Sequence, residues 1–158
     1  WSIARAAFIM LIFLRGTQMK IAVIDDYQDA FRKLACFARL KDHAVTVYHD
    51  TEKDPARLAE RLKDAEAVIL TQQRSPFPRA VIERLPGLRL ISQTGRNVNH
   101  IDLAACTERG VIVSAGGAGN PNPTAELTWA LILAALRRIP QEVQRMKDGK
   151  WQGSVGIG

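Results

Sequence analysis

The stretch LRLISQTGRNVNHIDLAACTERGVIVS, residues 88–114, decides the fold. It begins with the apolar run 88–92 and ends with a second run, 111–114, and both have the length of a buried strand. Between them, residues 101–109 have helical spacing, led by Asp102 and followed by Gly110, a helix stop. Strand, loop, helix and strand in this order predict one right-handed βαβ unit of a parallel sheet.

The same rhythm extends towards the N-terminus. Three further apolar runs occupy residues 21–24, 44–48 and 67–70, so that the strand starts recur every 21 to 23 residues. Most runs are continuous and not alternating, which is typical of strands buried on both faces. The intervening helical patterns cover residues 30–40, 55–62 (with Asp54 as N-cap) and 77–85. We therefore predict an α/β, flavodoxin-like fold: a parallel five-stranded sheet in the order 2-1-3-4-5 with flanking helices.

A long helix is predicted over residues 124–146, with Thr124 as its cap. Pro140 should break or kink it after Ile139. Residues 127–136 carry no charge, so this part is predicted to be buried all round, by a nucleotide-binding domain or a partner subunit.

The bulk composition excludes several classes of protein. The net charge of +6 is spread evenly, with an excess of +2 in each of residues 1–18, 19–123 and 124–158. No basic stripe marks a nucleic-acid partner. The apolar run at 6–14 is too short to span a membrane, and we expect residues 1–18 to be an extension outside the fold. Cys36 and Cys106 lack metal-ligand spacing, so no metal site is predicted, and they suit a reducing, cytoplasmic compartment.

The region after the fourth strand is the best candidate for a binding site. Gly95 permits close approach of a ligand, and free backbone N–H groups around it would form an anion nest. Arg96 could pair with a carboxylate, and Arg74, after the third strand, lies at the same predicted sheet edge. Two arginines near a glycine turn suit a small carboxylate substrate. The alternative is that both are solvated surface arginines.

A second hypothesis rests on Asp25 and Asp26 at the end of the first strand. Phosphorylation receiver domains hold magnesium with such a pair, but they also need an aspartate at the end of the third strand. This chain has Leu70, Thr71 and Gln72 there. Asp25 and Asp26 otherwise face solvent or cap the next helix. The lone histidines, including His100, are predicted to be surface or packing residues.

Residues 90–114, with the motifs IDLAA and ERGVIV, resemble the D-isomer-specific 2-hydroxyacid dehydrogenases, particularly the phosphoglycerate dehydrogenase-like members. The resemblance extends from about residue 19 to residue 151, including NPNPTAELTWALILAALR at 120–137. It departs from many members in GRNVNH at 95–100, where they have G-x-G-V-D-N. The substrate is therefore left open.

The resemblance implies roles for particular residues. Residues 71–75 form a first substrate loop, with Arg74 as anion contact and Ser75 beside it. The second substrate loop comprises Thr94, Gly95, Arg96 and Asn97. Asn120 and Thr124 match cofactor-side positions. The family's catalytic arginine, acid and histidine have no counterpart here, so no catalytic residue is assigned.

The resemblance also implies a domain layout and partners. Residues 19–122 are the substrate-binding domain, and 123–158 are an interdomain helix and the start of a nucleotide-binding domain. The glycine runs at 116–119 and 153–158 do not meet the dinucleotide fingerprint. The intact enzyme would use NAD or NADP on a small 2-hydroxy or 2-oxo carboxylate and form a homodimer. This chain alone is expected to hold no cofactor and to be inactive. The alternative is a non-catalytic, corepressor-like or receiver-like domain of the same fold.

Overall fold

The computed structural model describes residues 18–116 and 120–157. Nearly all of the predicted N-terminal extension, and most of the glycine run at 116–119, lie outside these residues. Within the described part of the chain, no helix is both long and apolar enough to cross a membrane.

Five parallel strands form one sheet in the described residues. They are β1 (Lys20–Ile24), β2 (Ala44–Val47), β3 (Ala67–Leu70), β4 (Leu90–Gln93) and β5 (Ile112–Ala115). The order is β2-β1-β3-β4-β5 and every pairing is parallel, which confirms the predicted topology. The central strands β3 and β4 are buried along their whole length, whereas the edge strands β2 and β5 have exposed positions.

Three α-helices accompany the sheet: α1 (Pro55–Leu62), α2 (Arg79–Ile82) and α3 (Leu103–Glu108). The Asp54 side chain caps α1 by accepting a hydrogen bond from the Arg57 amide at 2.9 Å, as predicted. Asp102 caps α3 in the same way through the Ala105 amide at 2.8 Å.

Two predicted helices differ from the observed elements. Residues 30–40 form two 3-10 helices, Phe31–Lys33 and Ala35–Leu40, and in neither does the N-cap residue make a side-chain capping bond. The predicted helix 77–85 contracts to α2, because Phe77 pairs with Ile101 and Pro78 provides the N-cap position.

The sheet separates two apolar clusters. Helices α1 to α3 cover one face, where Ile24, Leu70 and Ile91 meet Leu62 and Phe77. The 3-10 helices cover part of the other face through side chains such as Phe31 and Leu40. Burial on both faces explains why the central strands read as continuous apolar runs.

The chain divides into two compact units between residues 118 and 119. The second unit contains α4 (Asn122–Leu136) and α5 (Ile139–Lys147). The prediction of one helix over residues 124–146 is wrong in two details. The observed helix begins at Asn122, and it is interrupted at Arg138, whose φ of 52° is left-handed. Pro140 lies in the first turn of α5, and α4 ends at Leu136, whose carbonyl a continuous helix would bond to residue 140. The predicted break is therefore present, but it lies before Ile139 and not after it.

One further expectation about this helix is corrected. Thr124 lies inside α4, which has no side-chain N-cap bond from that residue. Residues 127–136, which are predicted to be covered by a nucleotide-binding domain or a partner subunit, have no buried side chain within this chain.

Candidate functional site

The loops that follow β3 and β4 meet at the carboxyl edge of the sheet. The backbone N–H of Gln72, after β3, donates to the Thr94 hydroxyl, after β4, at 3.0 Å. Further along, the Phe77 amide donates to the His100 carbonyl at 2.7 Å, and the Asp102 amide donates to the Phe77 carbonyl at 2.9 Å. The two predicted substrate loops are therefore fastened together near both of their ends.

Two glutamine side chains, Gln93 and Gln73, form hydrogen bonds that hold the second of these loops. Gln93 is fully buried, and its Nε2 donates to the Asn97 carbonyl at 3.2 Å. Gln73 Nε2 reaches the same carbonyl at 3.5 Å. A Cβ on Gly95 would lie 3.0 Å from Gln73 Nε2 and 3.4 Å from Gln93 Nε2, so a larger residue here would press on the ends of both side chains. Sequence reasoning missed both glutamines.

The backbone of the second loop presents unused donors. The N–H groups of Gly95, Arg96, Asn97 and Val98 donate no hydrogen bond to any other described residue. The Asn97 side chain instead accepts from the Asn99 amide at 2.8 Å, which stabilises a local turn. Consecutive free amides of this kind are available to bind an anion.

The predicted arginines take different positions. Arg96 is exposed and makes no hydrogen bond or ion pair with another described residue. Arg74 engages the loop after β1: its Nη1 donates to the Asp25 carbonyl at 2.5 Å, and its Cζ lies 4.5 Å from the Tyr27 ring centroid. Ser75 is buried, and its hydroxyl has no hydrogen-bond partner among the described residues.

Asp25 and Asp26 are both buried, and local contacts account for them. Both carboxylate oxygens of Asp26 accept backbone amides, from Ala30 at 2.9 Å and Phe31 at 2.8 Å. Asp26 thus caps the segment that follows it, as one of the two structural alternatives predicted. The Asp25 carboxylate accepts from the Thr51 hydroxyl at 2.6 Å. A receiver-like site would also need an aspartate after β3, where this chain has Thr71 and Gln72.

A cluster of metal-ligand types lies next to these aspartates. One ligand atom from each of Asp26, Asp29 and His49 falls within 4.8 Å of the others. However, the Asp26 oxygens already accept the two backbone amides, and His49 Nδ1 is 3.0 Å from the Asp26 carbonyl oxygen. The arrangement is that of a hydrogen-bonded turn.

His100 is a packing residue, as predicted. Both of its ring nitrogens are buried and have no hydrogen-bond partner in the described residues. Burial lowers the pKa of this imidazole.

The two predicted cofactor-side residues lie in the second unit. The Asn120 side-chain oxygen accepts from the Asn122 amide at 3.0 Å, next to the first turn of α4. The Thr124 carbonyl accepts from the Thr128 hydroxyl at 2.8 Å, and the Thr124 side chain is exposed.

Comparison with known proteins gives a consistent picture. The family model for the D-isomer specific 2-hydroxyacid dehydrogenase catalytic domain matches residues 21–148. Human D-3-phosphoglycerate dehydrogenase is 30% identical over 139 residues, covering 88% of this chain and 25% of the human protein. The chain thus spans about a quarter of that relative's length.

Solved structures share the fold. The phosphoglycerate oxidoreductase from Vibrio cholerae O395 is 45% identical with a TM-score of 0.78, covering 89% of this chain and 45% of that one. The 3-phosphoglycerate dehydrogenase from Entamoeba histolytica, solved with bound NAD+, is 24% identical with a TM-score of 0.58. That match covers 77% of this chain and 40% of the other.

Proposed function

Because the chain belongs to the D-isomer specific 2-hydroxyacid dehydrogenase family, we propose that its first unit binds the substrate of an NAD(P)-dependent oxidoreductase. The substrate is a small D-2-hydroxy acid or the corresponding 2-oxo acid. The substrate loops comprise residues 71–75, with Arg74 and Ser75, and the Thr94, Gly95, Arg96 and Asn97 segment.

The observation that carries the proposal is the row of unused amides from Gly95 to Val98. A carboxylate offers four lone-pair sites to such donors. Charge-assisted hydrogen bonds of this kind are stronger than neutral ones. The clamp of Gln93 and Gln73 on the Asn97 carbonyl holds this backbone in place before the ligand arrives.

Residues around the loop set the orientation of the ligand. Arg96 is exposed beside the amides and free to pair with the same carboxylate. Arg74 presents a second cation from the loop after β3. Contacts at two places along the ligand would distinguish its ends and orient C2.

The second unit has groups that fit a nicotinamide cofactor. The Asn120 side-chain nitrogen and the Thr124 hydroxyl have no partner among the described residues, and both residues are exposed near the N-terminus of α4. An amide donor, a hydroxyl and the positive end of a helix dipole suit a carboxamide or phosphate oxygen. NAD or NADP, when bound, supplies hydride exchange with C2 of the acid. The protein's part, in these residues, is to bind and orient.

Substitution of Arg96 tests the proposal. We expect Arg96→Ala to weaken binding of D-3-phosphoglycerate to the chain by about 10- to 150-fold, the equivalent of roughly 1.5–3 kcal/mol for a charged hydrogen bond. Isothermal titration calorimetry measures this directly. Arg109→Ala is the matched control, because Arg109 is also exposed but precedes β5 at the opposite sheet edge. Equal affinity in the original chain and in Arg96→Ala would contradict the assignment of Arg96.

A further inference from the structure

Arg74 is held in place by an unusual set of contacts for an exposed arginine. Its guanidinium stacks on the Tyr27 ring at 4.5 Å and donates from Nη1 to the Asp25 carbonyl at 2.5 Å. Both contacts come from the loop after β1, which is 47 or more residues away along the chain. Long, exposed arginines otherwise lose much rotamer freedom when they bind a ligand.

Tyr27 is itself fixed by a chain of hydroxyl groups. The Thr51 hydroxyl donates its single hydrogen to the Asp25 carboxylate at 2.6 Å. The Tyr27 hydroxyl is also hydrogen-bonded to Thr51. Because the Thr51 hydrogen is already used, Tyr27 must be the donor in that bond. The ring under Arg74 is thus anchored to a carboxylate that is only 1% exposed.

The cation at Arg74 remains available to a ligand. A guanidinium has five N–H donors, and only one of them is used by Asp25. No carboxylate forms an ion pair with Arg74 within the described residues. By contrast, Arg61 stacks on Tyr48 at 5.0 Å but is neutralised by two hydrogen bonds to Asp50.

We infer that Tyr27 is a positioning residue, which fixes the Arg74 guanidinium so that its free edge binds an anionic group of the substrate. This inference rests on the proposed function, because it assumes that Arg74 contacts the substrate. It assigns Tyr27 and its hydroxyl partner Thr51 to the binding machinery, although neither touches the ligand in this proposal.

The test compares substitutions that keep or remove the aromatic face. We expect Tyr27→Leu to weaken D-3-phosphoglycerate binding to the chain by about 3- to 30-fold, the range of a cation–π contact. Tyr27→Phe keeps the ring but loses the bond to Thr51, so its affinity should lie between those of the original chain and Tyr27→Leu. Tyr48→Leu is the matched control: it removes the other arginine–tyrosine stack and should leave ligand affinity unchanged. Circular dichroism establishes that each variant is folded.

A spectroscopic measurement reports the geometry without any ligand. The Arg74 side-chain N–H resonance, assigned by its loss in Arg74→Lys, should be shifted upfield by the Tyr27 ring current. That shift should persist in Tyr27→Phe and disappear in Tyr27→Leu. This keeps the inference testable even if Tyr27→Leu folds poorly, because an unshifted resonance in the original chain overturns it.

The outcomes separate the two proposals. If Arg74→Ala weakens binding and Tyr27→Leu does not, the positioning role of Tyr27 is wrong and the proposed function stands. If the original chain binds no D-3-phosphoglycerate, or neither Arg74→Ala nor Arg96→Ala changes its affinity, the proposed function fails and this inference fails with it. In the supporting result, Tyr27→Leu has no further effect in an Arg74→Ala background.

Discussion

At the scale of single residues, the site depends on a side chain that no sequence pattern signals. Gln93 ends the buried strand β4, and its amide nitrogen donates to the Asn97 carbonyl. Its other amide atom, Oε1, is buried with no partner in the described residues. Arginines near a glycine turn can be predicted from residue type and spacing. The contact of Gln93 cannot, because it depends on how the loop after β4 folds back.

Gln93→Leu separates positioning from stability. Leucine and glutamine have similar volumes. The change removes one donor that has a partner, Nε2, and one acceptor that has none, Oε1. We therefore expect the free energy of unfolding to change by less than about 1 kcal/mol. Affinity for D-3-phosphoglycerate should fall, because the Asn97 carbonyl is released. Urea denaturation and calorimetric titration measure the two quantities. Unchanged affinity in a folded variant would show that the clamp is dispensable.

His100 should make the free energy of unfolding depend on pH. Burial lowers its pKa below the usual 6.5, so the unfolded chain takes up this proton at a higher pH than the folded chain. Stability should therefore fall as the pH drops below about 6.5, until the folded imidazole is also protonated. His100→Gln should remove this part of the slope in urea unfolding between pH 5 and 8. His49→Gln, at an exposed position, serves as the control and should retain it.

At the scale of elements, side-chain caps decide where sequence reasoning succeeds. Asp54 and Asp102 mark the starts of α1 and α3, and the structure confirms both. Residues 30–40 have apolar side chains at helical spacing but no polar side chain at the N-cap positions Ala30 and Leu34, and they form 3-10 turns. Pro140 predicts an interruption of the long helix, and the structure has one, but its position at Arg138 has no sequence signature, because a left-handed arginine is not predicted by residue type.

Gly110 offers a clean test of a helix end. Its φ of +67° is left-handed, and a Cβ there would meet nothing within 4 Å. Gly110→Ala should therefore destabilise the fold by about 1–2 kcal/mol through backbone strain alone. Gly87→Ala is the control, because its Cβ would make only an ordinary contact, 3.8 Å from the Ala65 carbonyl oxygen. Thermal or urea unfolding of both variants gives the comparison, and equal losses would argue against the strain.

At the scale of the whole molecule, α4 exposes apolar side chains. Leu127, Trp129 and Leu131 are each at least 60% exposed. Large exposed apolar patches mark surfaces that another protein or domain covers. The charge-free sequence of residues 127–136 predicts that another domain or subunit covers this surface, but it does not predict which one.

We expect the chain to self-associate through this helix. Burying each leucine contributes about 1.5–3 kcal/mol, so Leu131→Lys combined with Leu127→Lys should shift the chain towards monomer. Sedimentation velocity over a concentration series measures the shift. Leu103→Lys, at an exposed leucine of α3, is the control and should leave association unchanged. A monomeric original chain at all concentrations would contradict the expectation.

The fastening of the loop after β3 to the loop after β4 has a consequence for engineering. The Gln72 amide donates to the Thr94 hydroxyl, and backbone bonds join Phe77 to His100 and Asp102, so the backbone path of each loop depends on that of the other. A relative's loop that is grafted alone should therefore keep its shape only if its backbone follows the same path and residue 94 keeps its hydroxyl. Residues 71–77 and 93–102 should therefore be exchanged together, and the crossover points of a recombination library should lie outside both segments.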